Sequence, residues 1–254
     1  MFAAAPMHSW ASSIMNSDRV PGGSSQANIL KTYSQEQRMD LVPLVAVASS
    51  AGDLQAVVEL LSALPEEWDE AFVIVQHFDP RRRDVPLDDA LAKRTSHPVV
   101  LARDGVVPER GHIYVMRANV ILTVIDGLIK VNPGATALTG PGDALFTSLA
   151  ADRGSRAIGI VLSGGGSDGA LGIQDIKKAG GATFAQYPGS ARFPSMPISA
   201  IETGCVGSVL RPNEIAHELS RLRDIAAHSL PLPCSSSISV RPMEHRGSNG
   251  VRQV

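Results

Sequence analysis

The chain has 254 residues, 44% of them hydrophobic and 19% charged, with a formal net charge of -2. This is enough apolar material for one large domain or two small ones, and the charge balance gives no global attraction to nucleic acid or to an acidic membrane surface. Two cysteines, Cys205 and Cys234, are too far apart for a CxxC pair or a metal cluster, which suits a reduced, cytoplasmic compartment.

The first 25 residues are rich in Ser, Ala, Gly and Pro and show no periodicity, and the segment 1–40 precedes the patterned part of the chain. They have no basic start and no sustained apolar run, so they make a poor signal peptide and are expected to be poorly ordered. No later stretch approaches the ~20 apolar residues of a membrane span, so no membrane insertion is expected. The folded domain is placed at 41–225, with a poorly ordered tail over 226–254.

From Leu41 strands and helices alternate. "LVPLVAVA" reads as a buried strand, and "DLQAVVELLSAL" puts Leu54, Val57, Val58 and Leu61 on one helical stripe, with Pro65 as a stop. "AFVIVQ" is a second buried strand, "LDDALAKRT" a helix and "PVVLA" a short strand. "GHIYVMRA" and "VILTVIDGLIKVN" depart from this rhythm. Asp126-Gly127 is a hairpin turn signal, so an antiparallel piece is expected to extend one edge near 112–132.

Alternation then resumes with "DALFTSLAADRG" as helix, "AIGIVL" as strand and "ALGIQDIKKAGG" as helix, Lys177 and Lys178 near its C-terminus and glycine beyond. "ATFAQ", "PISAIETG", "CVGSVL" and "PNEIAHELSRLRDIA" complete the pattern as strand, helix, strand and helix. The expected fold is α/β: a doubly wound, mainly parallel sheet with helices on both faces and an antiparallel β-hairpin at one edge.

In such a sheet, chemistry collects beyond the carboxyl ends of the strands. Ser49-Ser50 follows the first strand, Gln76-His77 the second, and "SGGGSDG", with Asp168 and Gly169 at its end, follows "AIGIVL". If these strands are parallel neighbours, Ser50, His77 and Asp168 share one edge. A serine hydroxyl needs a base to take its proton, neutral histidine suits that role near pH 7, and an aspartate orients the imidazole and stabilises the imidazolium. Glycine-rich turns expose backbone N–H groups to a developing oxyanion.

Each residue also has a plainer reading. Ser50 and Asp53 fit the S-x-x-D spacing of a capping box, Asp168 fits the N-cap of its own helix, and His77 fits a satisfied histidine at a sheet edge. The glycines of "SGGGSDG" suggest a phosphate cradle, but neither GxxxxGK[ST] nor a GxGxxG in the first βα turn accompanies them. Arg81 to Arg83 read as a solvated loop or as attraction for an acidic protein substrate. Arg192, Phe193 and Met196 read as a pocket wall or as local packing.

The runs "AVASSAGDLQA", "VQH", "LSGGGSDGALG" and "AGGATFAQ", with "GHIYV", "DALFTSLA" and "MPISAIETG" in order among them, resemble the catalytic domain of the CheB-type chemoreceptor glutamate methylesterases over about 41–223. The resemblance implies a serine hydrolase without metal or organic cofactor. Its action would be removal of methyl groups from glutamyl esters on receptor signalling helices, with deamidation of selected glutamines in many members. It assigns the nucleophile to Ser50, the base to His77 and the acid to Asp168; backbone N–H groups near Ala51 and Gly165 are the expected oxyanion donors. Four positions depart from the family pattern: Ala48 and Asp53 replace glycines, Ser49 replaces an alanine, and Gly165 stands where many members carry a pocket-shaping methionine. The departures at Asp53 and Gly165 motivate an alternative, a low-activity scaffolding relative that binds a receptor or kinase. The upstream 40 residues are too few for the receiver domain most chemotaxis members carry, which leaves two expectations open: a standalone enzyme controlled by a regulatory protein partner, or a paralogue outside chemotaxis.

Overall fold

A computed structural model describes residues 41–50, 53–77, 87–133 and 140–229. Residues 1–40 and 230–254, for which poor order is expected, and Arg81 to Arg83 lie outside the described residues.

The main sheet has seven strands, all paired in parallel: β1 (Leu44–Ser50), β2 (Ala71–His77), β3 (Val99–Leu101), β4 (Ile113–Val115), β7 (Ile158–Val161), β8 (Ala182–Gln186) and β9 (Ser208–Leu210). Their order is β3-β4-β2-β1-β7-β8-β9. The chain leaves β1 on one side for β2, and returns to the other side of β1 for β7. This reversal is the topological switch point, where neighbouring βα connections part to opposite faces and open a crevice.

The helices are α1 (Leu54–Ser62), α2 (Leu87–Ala92), α3 (Pro141–Arg153), α4 (Ala170–Lys178), α5 (Ser195–Glu202) and α6 (Pro212–Ser229). The last runs past the expected domain end at 225. Strand residues alternate between two cores, as a two-residue side-chain period requires. Ala46, Ala48, Val73 and Val75 face Leu145, Phe146, Ile173 and Met196, whereas Val45, Val47, Phe72 and Ile74 face Val57, Leu60, Ile215 and Leu219. Both faces are therefore covered, and burial of each large aliphatic side chain contributes about 1.5–3 kcal/mol.

The β-rich stretch differs from expectation in one respect. Ile113–Val115 enters the main sheet in parallel between β2 and β3, while β5 (Val120–Ile125) and β6 (Leu128–Pro133) form a separate two-stranded antiparallel sheet. The cause lies in α3. The outward N–H of Val124 donates to Ser148 Oγ at 3.0 Å, and that of Gly127 to Asp152 Oδ1 at 3.0 Å. These bonds seat the hairpin on the helix instead of on the sheet edge. Its turn has Asp126 at φ 51 and Gly127 at φ 77, the two left-handed residues that the Asp-Gly signal anticipates.

Candidate active site

Ser50 is the last residue of β1 and His77 the last of β2, and the parallel register pairs them Cα to Cα. Adjacent strands lie about 4.8 Å apart, so the two backbones end side by side. The His77 ring and the whole of Ala51 lie outside the described residues. On the other flank the β1–β7 ladder continues past β7: Leu162 N–H donates to Ala48 O at 2.9 Å and Ser50 N–H to Ser163 O at 3.1 Å. These bonds bring the start of "SGGGSDG" against the serine.

The capping-box reading of Ser50 does not hold. Helix α1 begins at Leu54 with Asp53 as its N-cap, and no side chain makes a cap hydrogen bond there. Among the described residues, Ser50 meets the helix start through its carbonyl, which accepts the Asp53 N–H at 3.1 Å. The strand simply runs on through Ser50, leaving too little chain for a helix to start there. Asp53, expected near the pocket mouth, is only 7% exposed.

Asp168 does not cap its own helix either. The N-cap of α4 is Gly169, at φ 91, with no side-chain cap bond. The Asp168 carboxylate turns to α3 instead, where Oδ2 accepts the Gly142 N–H at 2.9 Å and Oδ1 the Asp143 N–H at 3.0 Å. These are N–H groups at the start of α3, whose N-cap Gly140 provides no side-chain acceptor. A carboxylate has about four lone-pair sites, so two remain for a partner such as an imidazole. The close approach depends on glycine: a Cβ at Gly140 would collide with the Asp168 carboxylate, and one at Gly142 would lie 2.8 Å from the Ala48 Cβ.

Asp143 is 7% exposed and accepts the Gly172 N–H at 3.0 Å. Burial, the largest influence, pushes its carboxyl above the usual range, and the nearby Asp168 charge adds to the rise. The bonds from Gly172, Leu171 and Gly169 pull it back.

The glycine-rich turn is anchored from the end of β8 and the loop that follows it. Ser163 N–H donates to Gln186 Oε1 at 2.8 Å, and Ser163 Oγ accepts the Phe193 N–H at 2.9 Å. Gly164 donates to Phe193 O at 2.9 Å and accepts from Met196 N–H at 3.0 Å. A Cβ at Gly164 would collide with Met196 Sδ and stand 3.0 Å from the Ser50 Cβ. Of the suggested pocket wall, Met196 is therefore buried packing beneath the turn. Phe193 pins the turn through its backbone, while Arg192 lies over its ring at 5.3 Å. Gly165 is exposed, and a Cβ there meets nothing within 4 Å, so the turn is open at that point.

Three contributors have no clear signal in the sequence. Asp143 reads as an acid in a helix's first turn, favourable to the macrodipole and nothing more. Ser163 and Gln186 read as ordinary strand-end polar residues. Among the described residues no group of three or more His, Cys, Asp or Glu is arranged to hold a metal ion, and no helix is long and apolar enough to cross a membrane. An open groove of about 990 Å³ lies elsewhere, between β3 and the β5–β6 hairpin, and includes neither Ser50 nor Asp168.

Residues 45–219 match the CheB methylesterase family. The chain is 35% identical over 185 residues to protein-glutamate methylesterase/protein-glutamine glutaminase 4 of Burkholderia thailandensis, covering 72% of this chain and 54% of the relative. It is 32% identical over 191 residues to the corresponding protein 3 of Paramagnetospirillum magneticum, covering 74% and 54%. It thus spans about half the length of these curated relatives. The fold superposes on the crystal structure of the Thermotoga maritima CheB methylesterase catalytic domain with a TM-score of 0.64 and 25% identity, covering 71% of this chain and 98% of that one. With the family matched across both flanks of the switch point, the chain belongs to the CheB methylesterases.

Proposed function

We propose that this protein is a serine carboxylesterase that hydrolyses glutamate methyl esters on a chemoreceptor-like protein. Ser50 Oγ attacks the ester carbonyl as His77 takes its proton. Asp168 holds the imidazole and stabilises the imidazolium. The tetrahedral intermediate collapses to a glutamyl–serine ester, and the imidazolium proton leaves with methanol. Water, deprotonated by His77, then attacks the acyl-enzyme and releases the glutamate carboxylate and Ser50. Backbone N–H groups near Ala51 and Gly165 are the proposed oxyanion donors.

The observation that carries this reading is the placement of the three βα junctions. Ser50 pairs with His77 across β1 and β2, and the Asp168 turn is bonded to the other side of β1 through Leu162 and Ser163. The same site can release ammonia from a glutamine side chain by an equivalent acyl-enzyme route, as the glutaminase name of the relatives suggests. The scaffold alternative loses one of its motives, because Asp53 is buried at the start of α1.

The test is methanol release from methylated receptor signalling fragments. Wild type is expected to turn over, and Ser50→Ala to lose about 10⁵-fold or more in kcat. Equal rates for the two proteins would discard Ser50 as nucleophile.

A further inference from the structure

Asp168 and Asp143 exchange caps. The Asp168 carboxylate accepts the N–H groups of Gly142 and Asp143 at the start of α3, at 2.9 and 3.0 Å. The Asp143 carboxylate accepts the Gly172 N–H at the start of α4 at 3.0 Å. Neither helix has a side-chain cap of its own. Each is closed by the acid of the other.

The exchange is asymmetric in what Asp143 controls. Its backbone N–H holds Asp168 Oδ1 directly. Its side chain holds the Gly172 N–H in the first turn of α4, four residues after Asp168. The aim of the Asp168 carboxylate is therefore fixed at both its oxygen and its main chain by one residue. The two helices are brought close by missing side chains, since a Cβ at Gly172 would collide with Phe146 Cβ and lie 3.0 Å from Asp143 O. Two carboxylates so near each other, one of them buried, are unfavourable unless several donors offset their repulsion. Backbone N–H groups on both helix starts supply those donors.

The geometry points to Asp143 as a positioning residue for the hydrolytic reaction, acting through Asp168 by locking the α3 and α4 N-termini together. This rests on the hydrolase reading of the site. Asp143 touches no reacting atom. Its contribution is to keep the triad acid within hydrogen-bonding geometry of the base, where a misplacement near 1 Å costs about 100-fold in rate.

The experiment is a double-mutant cycle with Asp143→Asn and Asp168→Asn, read by the rate at which a fluorophosphonate probe labels the nucleophile, with kcat and KM on methylated receptor fragments for the two most active proteins. Asp143→Asn alone is expected to lower the labelling rate and kcat by about 100-fold with KM within about 2-fold of wild type. In the Asp168→Asn background the same change is expected to have no further effect, because the group it acts through is already lost. Losses that multiply in the double variant would show a merely structural role and overturn the inference while leaving the hydrolase reading intact. A wild type that neither labels nor turns over would remove that reading, and the inference with it. If Asp143→Asn is unfolded at the assay temperature, the cycle is run with Asp143→Glu, which keeps the charge but displaces the acceptor oxygens by one methylene. The same two outcomes apply.

Discussion

After β1 the chain reaches α1 through Asp53, whose side chain makes no cap hydrogen bond among the described residues. After β7 it reaches α4 past Asp168, whose carboxylate is committed to a different helix. The two junctions flank the switch point and start from similar sequence, small residues followed by an aspartate and a helix. At the first, the proposed nucleophile ends a strand, held by main-chain bonds to Ser163 and Asp53 and by Gln76 Nε2 donating to its carbonyl at 3.4 Å. At the second, the proposed acid is held by two N–H groups and its flanking chain by a second acid. A nucleophile needs an exposed, unencumbered oxygen, whereas the acid needs a fixed direction. The local structure follows that division.

Changes at the locked junction should therefore have larger effects than changes at the open one. The largest is expected from Asp168→Asn. Kinetic assay of methyl ester hydrolysis should show about a 10⁴-fold fall in kcat, as for loss of a triad acid elsewhere. Thermal unfolding should show a loss of about 1–2 kcal/mol, because an amide nitrogen now faces a helix N–H that needs an acceptor. Activity retained within 10-fold of wild type would detach Asp168 from the chemistry. Next comes Gly164→Ala. Its methyl group collides with Met196 and crowds Ser50, and overpacking of this kind costs about 1–3 kcal/mol, visible in denaturant unfolding. Gly165→Ala, one residue on, meets open space and should leave unfolding unchanged, so equal losses at the two glycines would refute the packing described for this turn.

At the open junction, Asp53→Ala should cost less than about 1 kcal/mol, since only a macrodipole interaction is removed and no cap bond. A cost matching that of Asp168→Asn would erase the contrast between the junctions. The smallest effect is remote from both. Glu70 is buried, and desolvation raises its carboxyl above the usual value, against the pull of its own backbone hydrogen bond and Arg223. A folded pKa above the unfolded one means its favourable contribution is complete below the unfolded pKa and is lost as pH rises through that value to the folded one. The difference in Tm between Glu70→Gln and wild type should therefore shift in favour of the variant as pH increases from the ordinary carboxylate range to neutrality. A constant difference would show that Glu70 titrates normally.

Much of this contrast could be anticipated from the chain, and the failures have physical causes. Alternating apolar runs and amphipathic stripes locate the strands and helices because side-chain periodicity is a local property. Ser50, His77 and Asp168 stand out because polar residues interrupt those runs at strand ends. Strand order is not local, so the β1–β2 and β1–β7 neighbours emerge only in three dimensions. The Ser50–Asp53 capping box failed because β1 stays hydrogen-bonded to its neighbours through its last residue, and α1 starts only at Leu54. The role of Asp143 was hidden because its partners, Gly172 and Asp168, lie 29 and 25 positions away. The hairpin's separation from the sheet was equally hidden, since Ser148 and Asp152 claim the N–H groups of Val124 and Gly127.

The central claim is that the end of β1 presents a nucleophile activated from the junctions on either side. The most direct measurement is mass-spectrometric localisation of a fluorophosphonate adduct on wild type, repeated on His77→Ala and Asp168→Asn. The account predicts a phosphonyl group on Ser50, formed at a rate that drops sharply in both variants. An adduct on Ser49 or Ser163, or labelling of Ser50 at an unchanged rate in both variants, would contradict it.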